Sequence, residues 1–425
     1  MSRSTCRLPY GADRTLEVNV PEGNLMGVYS PRNVAAAPDV KAEIARALAH
    51  PIGSPPLAEL AKGKQNVVLV ADDNTRLTPT DILIPPLLDE LNAAGVPDEK
   101  ISIIIALGTH RFMTDEEILV KFGPETVRRV VIKNHPYKDP DCLVDLGRTA
   151  NGTAISINKD VVEADFKIGI GSIVPHHIPG YAGGAKIVQP GVSGEITTAE
   201  THLLSVREKN SYLGTLDNPV RRELNLIARK VGLNTIFNTV LNYHGKVVAV
   251  YFGDVEAAFV AGAARAKEVY SVVLPAEADI VISCSYPCDL EFWQAHKALY
   301  PAERAVRRGG IIIVVTPCYE GVAVNHAGMV EFAGLPPDEV RRLLAEGKID
   351  PVAAALAIAW GQVREQETVY FVSEGISAAE ARKLGFVPFE TVQAALDAAL
   401  EALGPRSQVA VLTHAPDMLP VIQRK

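Results

Sequence analysis

The sequence predicts an α/β protein built from two domains with mostly parallel, Rossmann-like sheets and a cleft between them. Three observations carry that expectation. Short apolar runs rich in β-branched residues alternate with helical stretches along nearly the whole chain, the rhythm that builds parallel sheets through right-handed crossovers. At 425 residues the chain is too long for one ordinary core. Polar and titratable residues gather directly after the apolar runs, where ligands bind in open α/β sheets.

Residues 1–60 have mixed polarity, with a β segment expected near 15–20. The run NVVLVA at 66–71 suits a strand buried on both faces. It ends in Asp72, Asp73, Asn74, Thr75 and Arg76, with a helix expected from about Pro79 and Thr78 as its cap. KISIIIAL at 100–107 is a second strand, delivering His110 at its carboxyl end before a helix opened by a Thr114/Glu117 capping box. Further strands are expected at 127–133, 154–157 and 165–170, a helix that begins near Gly194 or Glu195 and holds His202, another at 218–231, and a strand pair at 235–240 and 246–251. A helix capped by Asp254 should run to about Tyr270, with a boundary at 273–276, so that 1–273 and 274–425 form the two domains. The second half then repeats the rhythm, with strands at 280–283, 310–315, 368–372 and 409–412 and helices at 291–307, 350–361 and 391–403.

The stretch GIGSIVPHHIPGYAGGAKIVQPGVSGEITTAETH, 169–202, is the one around which the chain is organised. Its seven glycines and the prolines at 175, 179 and 190 describe an ordered loop lying close to a ligand. His176, His177, Lys186 and His202 within it can move protons, bind a metal or form a covalent bond.

Composition narrows the possible partners. A net charge of −8 and a pI near 5.8 disfavour nucleic acid and anionic membranes, leaving a small ligand. No apolar run reaches the roughly 18 residues of a membrane span and the first residues lack a secretion signal, so a cytoplasmic location is expected. Five scattered cysteines predict reduced thiols, and the Cys284/Cys288 spacing is not that of a zinc site. Gly169-x-Gly171-x-x-Val174 lacks the third glycine of a dinucleotide loop, and no P-loop, HExxH or GxSxG pattern occurs. His110 and His176, from different strand ends, could exchange protons on two sides of a bound acid, while Arg76 and Lys297 could hold its carboxylate. These residues leave open a nicotinamide-dependent oxidoreductase and a non-catalytic nucleotide- or cofactor-binding protein.

Taken together, DDNTRLTP at 72–79, GTHRFMTDEE at 108–117, VPHHIPGYAGGAK at 174–186, TH at 201–202, FWQAHKAL at 292–299 and Trp360 resemble the lactate racemase family, which uses a nickel-pincer nucleotide. The likeness runs through nearly the whole chain in the right order. It implies an isomerase that inverts C2 of a 2-hydroxy acid in an inter-domain active-site cleft, with cofactor-biosynthesis proteins as partners. The implied cofactor is a pyridinium mononucleotide with thioamide and thiocarboxylate sulfurs that hold nickel, tethered through Lys186. The resemblance also implies His202 as the nickel ligand, His110 and His176 as acid/base pair, and Asp73 and Arg76 beside cofactor and substrate. Gln294, Lys297 and Trp360 would bind the substrate, with reversible hydride transfer as the reaction. Trp293 is read as a shaper of the pocket, whereas His177 and His296 receive no role.

Overall fold

The computed structural model describes residues 2–208 and 211–423. Two six-stranded sheets organise it. The first is ordered Val247–Gly253, Thr235–Leu241, Phe166–Ser172, Val67–Asp72, Ile101–Ala106, Val131–Asn134, parallel except for the first pair, which is antiparallel. The strands Val67–Asp72, Phe166–Ser172 and Thr235–Leu241 are buried at every position, which is why they read as apolar runs without alternation. From Val67–Asp72 the chain adds two strands on one side, then returns to add Phe166–Ser172 on the other. That reversal opens a crevice beyond the carboxyl ends of these two central neighbours.

The second sheet runs Val387–Pro388, Thr368–Val372, Val306–Val315, Ala278–Cys284, Val409–Leu412, Leu25–Tyr29, all parallel. Its last member corrects the expected 1–273 unit at its beginning. Leu25–Tyr29 pairs with Val409–Leu412, and the hairpin Arg3–Tyr10/Arg14–Pro21 puts Leu8, Tyr10, Val18 and Val20 into one core with Ile280, Ile313 and Val411. The cause is that Val409–Leu412 is wholly buried and needs a partner on its free side. At the other end, the helix Ala257–Tyr270 serves the first sheet and the strand Ala278–Cys284 the second, on either side of the expected boundary.

Four local expectations shift. The Thr114/Glu117 capping box forms, but its helix Asp115–Arg129 runs through the expected start of the next strand, which is confined to Val131–Asn134. Ala154–Asn158 pairs with Leu143–Arg148 in a separate hairpin and does not join the main sheet. The helix expected at 291–307 is broken into Phe292–Ala295, the 3-10 turn His296–Ala298 and Leu299–Ala305. Thr78 does not cap the helix Thr80–Ala93, because its hydroxyl instead donates to Asp72 Oδ2 at 2.5 Å. Among the described residues no helix is long and apolar enough to cross a membrane.

Because Leu8 is fully buried against the second sheet, Leu8→Ala should destabilise that lobe by about 3 kcal/mol. Both tryptophans, Trp293 and Trp360, lie in the second lobe, so their fluorescence during denaturant unfolding reads the effect.

Candidate active site

The crevice at the sheet reversal continues into a cavity of about 100 Å³ closed over by the second lobe. Asp72 and Asp73 end the strand Val67–Asp72 and differ sharply in function. Asp72 is tied down by Thr78 and lies 3.2 Å from the Lys121 ammonium. Asp73 Oδ2 accepts from His110 Nδ1 at 2.6 Å and Oδ1 from the Thr75 hydroxyl at 2.6 Å. Burial alone would raise the Asp73 carboxyl, but His110 and then Arg76 outweigh it and hold the group well below the usual carboxylate range. With a carboxylate accepting at Nδ1, neutral His110 carries its proton there and keeps the Nε2 lone pair free.

The second lobe reaches that lone pair. Gln294 Nε2 donates to His110 Nε2 at 2.8 Å, and Gln294 Oε1 accepts from Lys297 Nζ. A continuous chain, Asp73, His110, Gln294, Lys297, therefore links the lobes.

The 169–202 stretch forms the cavity floor. Gly183, at φ 80°, turns the chain into the 3-10 turn Gly184–Ile187 that carries Lys186, and a Cβ there would lie 2.6 Å from Ile173. Two groups clamp this turn: Asn238 Oδ1 accepts from Gly184 N at 2.8 Å, and buried Arg221 donates to the carbonyls of Gly183, at 3.2 Å, and Tyr181. Burial, and then Arg76 and Lys297, push the Lys186 amine well below its ordinary value, toward the neutral nucleophilic form.

His202, in the third turn of the helix Glu195–Ser205, donates from Nδ1 to Thr198 O at 2.7 Å. That bond leaves Nε2 as a lone pair, the arrangement seen when a second partner orients a metal-binding imidazole. His176 is oriented differently: its Nδ1 accepts from Ile178 N at 3.2 Å, so the neutral ring presents Nε2–H.

Lys186, His202, His110, His176, Asp73, Arg76, Gln294 and Lys297 thus all border one cavity. Trp360 does not, in contrast to the expectation. Its helix, Pro351–Arg364, is buried almost throughout and turns Leu356 to the cavity, so Trp360 one turn later lies beneath His296, ring centroids 5.4 Å apart. Trp293 takes the wall position, and His177 and His296 also border the cavity. His177 is stacked between His176 at 4.7 Å and Tyr300 at 4.1 Å. Reading the sequence missed Asn238 and Thr198, whose side-chain Nδ2 and Oγ1 are buried at the cavity without a partner. The signal for Asn238 was present as a lone amide within the apolar strand TIFNTVL. Among the described residues no group of three or more His, Cys, Asp or Glu side chains could hold a metal ion, so a bound ion would need donors from a ligand beside His202.

The family model of the lactate racemase N-terminal domain matches residues 10–214, and that of the lactate racemase C-terminal domain matches residues 273–422. The chain belongs to the lactate racemase family. It is 32% identical over 390 residues to the lactate racemase of Lactiplantibacillus plantarum, covering 89% of this chain and 90% of that one. To the lactate racemase of Thermoanaerobacterium thermosaccharolyticum it is 31% identical over 352 residues, 80% of this chain and 81% of the relative. The apoprotein structure of the lactate racemase from T. thermosaccharolyticum superposes with a TM-score of 0.87 at 27% identity, covering 98% of this chain and all of that one. A crystal structure of a Thermotoga maritima protein shares the fold, with a TM-score of 0.71 at 22% identity over 88% of this chain. Members of the lactate racemase family are isomerases, and the architecture of this one, two mostly parallel sheets facing across a cleft, is that of the family structure.

His202 also gives a pH dependence. Burial, opposed by the bond to Thr198, lowers it to about 4 from an ordinary value of 6.5. Above pH 6.5 both folded and unfolded states leave it neutral. Between pH 6.5 and 4 only the unfolded state takes up the proton, so the group costs stability as pH falls. His202→Gln should therefore reduce the loss of stability between pH 7 and pH 5 by on the order of 1 kcal/mol, measured by thermal melts across that range.

Proposed function

We propose that this member of the lactate racemase family inverts C2 of a 2-hydroxy acid, using a nickel-pincer nucleotide attached through Lys186, with His202 as nickel ligand. The observation that carries the reading is the convergence on one cavity of a depressed lysine amine, an imidazole lone pair, and two further histidines with opposite proton placement. The residues fit such a group. Lys186, its amine pushed toward the neutral form, would hold the group covalently, His202 would offer Nε2 to the nickel, and the unpartnered Asn238 Nδ2 and Thr198 Oγ1 are available to its polar atoms. When bound, the cofactor supplies a reversible hydride acceptor, which avoids building a carbanion beside a carboxylate.

The chain's own residues do the rest. The substrate hydroxyl takes the place of the Gln294 amide at His110 Nε2 and passes its proton there, while Asp73 steadies the charged ring through Nδ1. His176 presents Nε2–H as donor to the oxygen of the flat keto acid, and its environment favours the neutral ring: burial first, then Lys186, keep its pKa well below the ordinary value. Arg76 is fixed by two bonds from Nη1 to Thr75, at 3.0 Å and 2.8 Å, and with Lys297 it holds the carboxylate. The second lobe supplies Gln294, Lys297 and Trp293 and so keeps water from the reacting centre.

The test is intact-mass analysis of protein produced with the cofactor pathway and nickel, together with a chiral assay over 2-hydroxy acids. An adduct on Lys186 and inversion of at least one acid are expected; unmodified Lys186 overturns the tether. His110→Ala and His176→Ala should keep the adduct yet each lose turnover by roughly a hundredfold or more, whereas a pure carrier would be unaffected. Lys297, lowered to about 8 by burial and the neighbouring Arg76, should lose its charge as pH rises past that value. The KM for a 2-hydroxy acid is therefore expected to climb above pH 8, and Lys297→Arg to flatten that limb.

A further inference from the structure

The main cavity has a small side chamber that shares Thr109, His110, Trp293 and Gln294 with it. His110, the acid/base residue of the proposed reaction, thus borders both spaces. The rest of the wall comes mainly from the second lobe and includes Glu291, Glu320 and His326.

The hydrogen-bonding character of that wall is one-sided. The charged and amide donors of the wall already have partners. Arg111 is bidentate to Glu117, at 2.8 Å and 2.7 Å, and lies 3.4 Å from Glu320. Asn74 donates to Glu117 at 2.9 Å, and Asn325 reaches across the lobes to Thr109 O at 3.1 Å. The acceptors are in excess. His326 Nδ1 meets Asp350, the cap of the helix Pro351–Arg364, and with the proton held on Nδ1 the lone pair lies on Nε2. That Nε2 is buried without a partner, and the ring itself is locked flat against Trp293, centroids 4.2 Å apart at 13°. Glu291 accepts from Val324 N through Oε2, leaving its second oxygen available.

We infer that this chamber receives the part of the substrate beyond C2, and that it selects a 2-hydroxy acid carrying further hydroxyl groups over lactate or a dicarboxylic acid. The inference rests on the proposed racemase reading. A methyl group would leave His326 Nε2 and the Glu291 oxygen unpaired, the situation a site built for hydroxyl groups rejects. A second carboxylate would meet Glu291 and Glu320 with no uncommitted cation to hold it. Hydroxyl groups donate to these acceptors and carry no charge.

The experiment compares kcat/KM for C2 inversion of lactate, hydroxybutanedioate and trihydroxybutanoate by the cofactor-loaded enzyme. Trihydroxybutanoate is expected to exceed both others by about tenfold or more. His326→Phe keeps a ring against Trp293 but removes the acceptor nitrogen, and should lower the trihydroxybutanoate-to-lactate ratio by about tenfold. Glu291→Gln, a near-isosteric change, should lower the same ratio and serves if the phenylalanine variant does not fold. Preference for lactate or the dicarboxylic acid, or a ratio unmoved by the folded variants, overturns the inference while leaving the racemase reading intact. Loaded enzyme that inverts none of a broad panel of 2-hydroxy acids overturns both.

Discussion

The cleft depends on one imidazole being held from both sides. Asp73, in the first lobe, fixes the proton of His110 on Nδ1, and Gln294, in the second, occupies Nε2. Remove the carboxylate and the tautomer is no longer determined, so the Nε2 lone pair that meets Gln294 is lost for part of the time. Withdraw the second lobe and the chain to Lys297 is broken, along with the wall that excludes water. Because the two contacts come from separate sheets, the protonation state of the site and the closure of the lobes are coupled.

The second constraint is electrostatic. Arg76, Lys186 and Lys297 all border the cavity, while Asp72 is committed to Lys121 and Asp73 offers a compensating charge at the surface of the space. Desolvating so many cations together is unfavourable, and both lysine pKa values fall in response, well below the ordinary value for Lys186 and to about 8 for Lys297. A bound carboxylate or phosphate relieves this strain. The histidines follow the same rule. Buried His176, His177 and His296 stay neutral, which keeps their rings available as donors, acceptors and stacking surfaces.

The packing around the site explains why it is stiff. Arg221 and Asn238 clamp the turn bearing Lys186, the helix Glu195–Ser205 packs on Pro351–Arg364 across the lobes, and His177 is stacked against Tyr300 of the second lobe. These contacts hold reactive atoms through side chains that are themselves fixed, which is what catalytic geometry demands.

Much of this was legible in the sequence. Strands buried on both faces announce themselves as apolar runs, so residues 66–71, 100–107 and 165–170 were readable with their polar ends, and with them Asp73, Arg76, His110 and the loop bearing His176, Lys186 and His202. Those signals are local: side-chain period, turn chemistry and strand-end position are written in neighbouring residues. What only the tertiary structure decided is non-local. Leu25–Tyr29 joins the sheet formed by residues nearly four hundred positions later because that edge needs covering, Trp360 is placed under His296 by the rotation of a buried helix, and Asn238 faces the cavity from mid-strand. No pattern along the chain encodes which faces meet, since that is settled by the simultaneous burial of apolar surface and pairing of polar groups across the whole molecule.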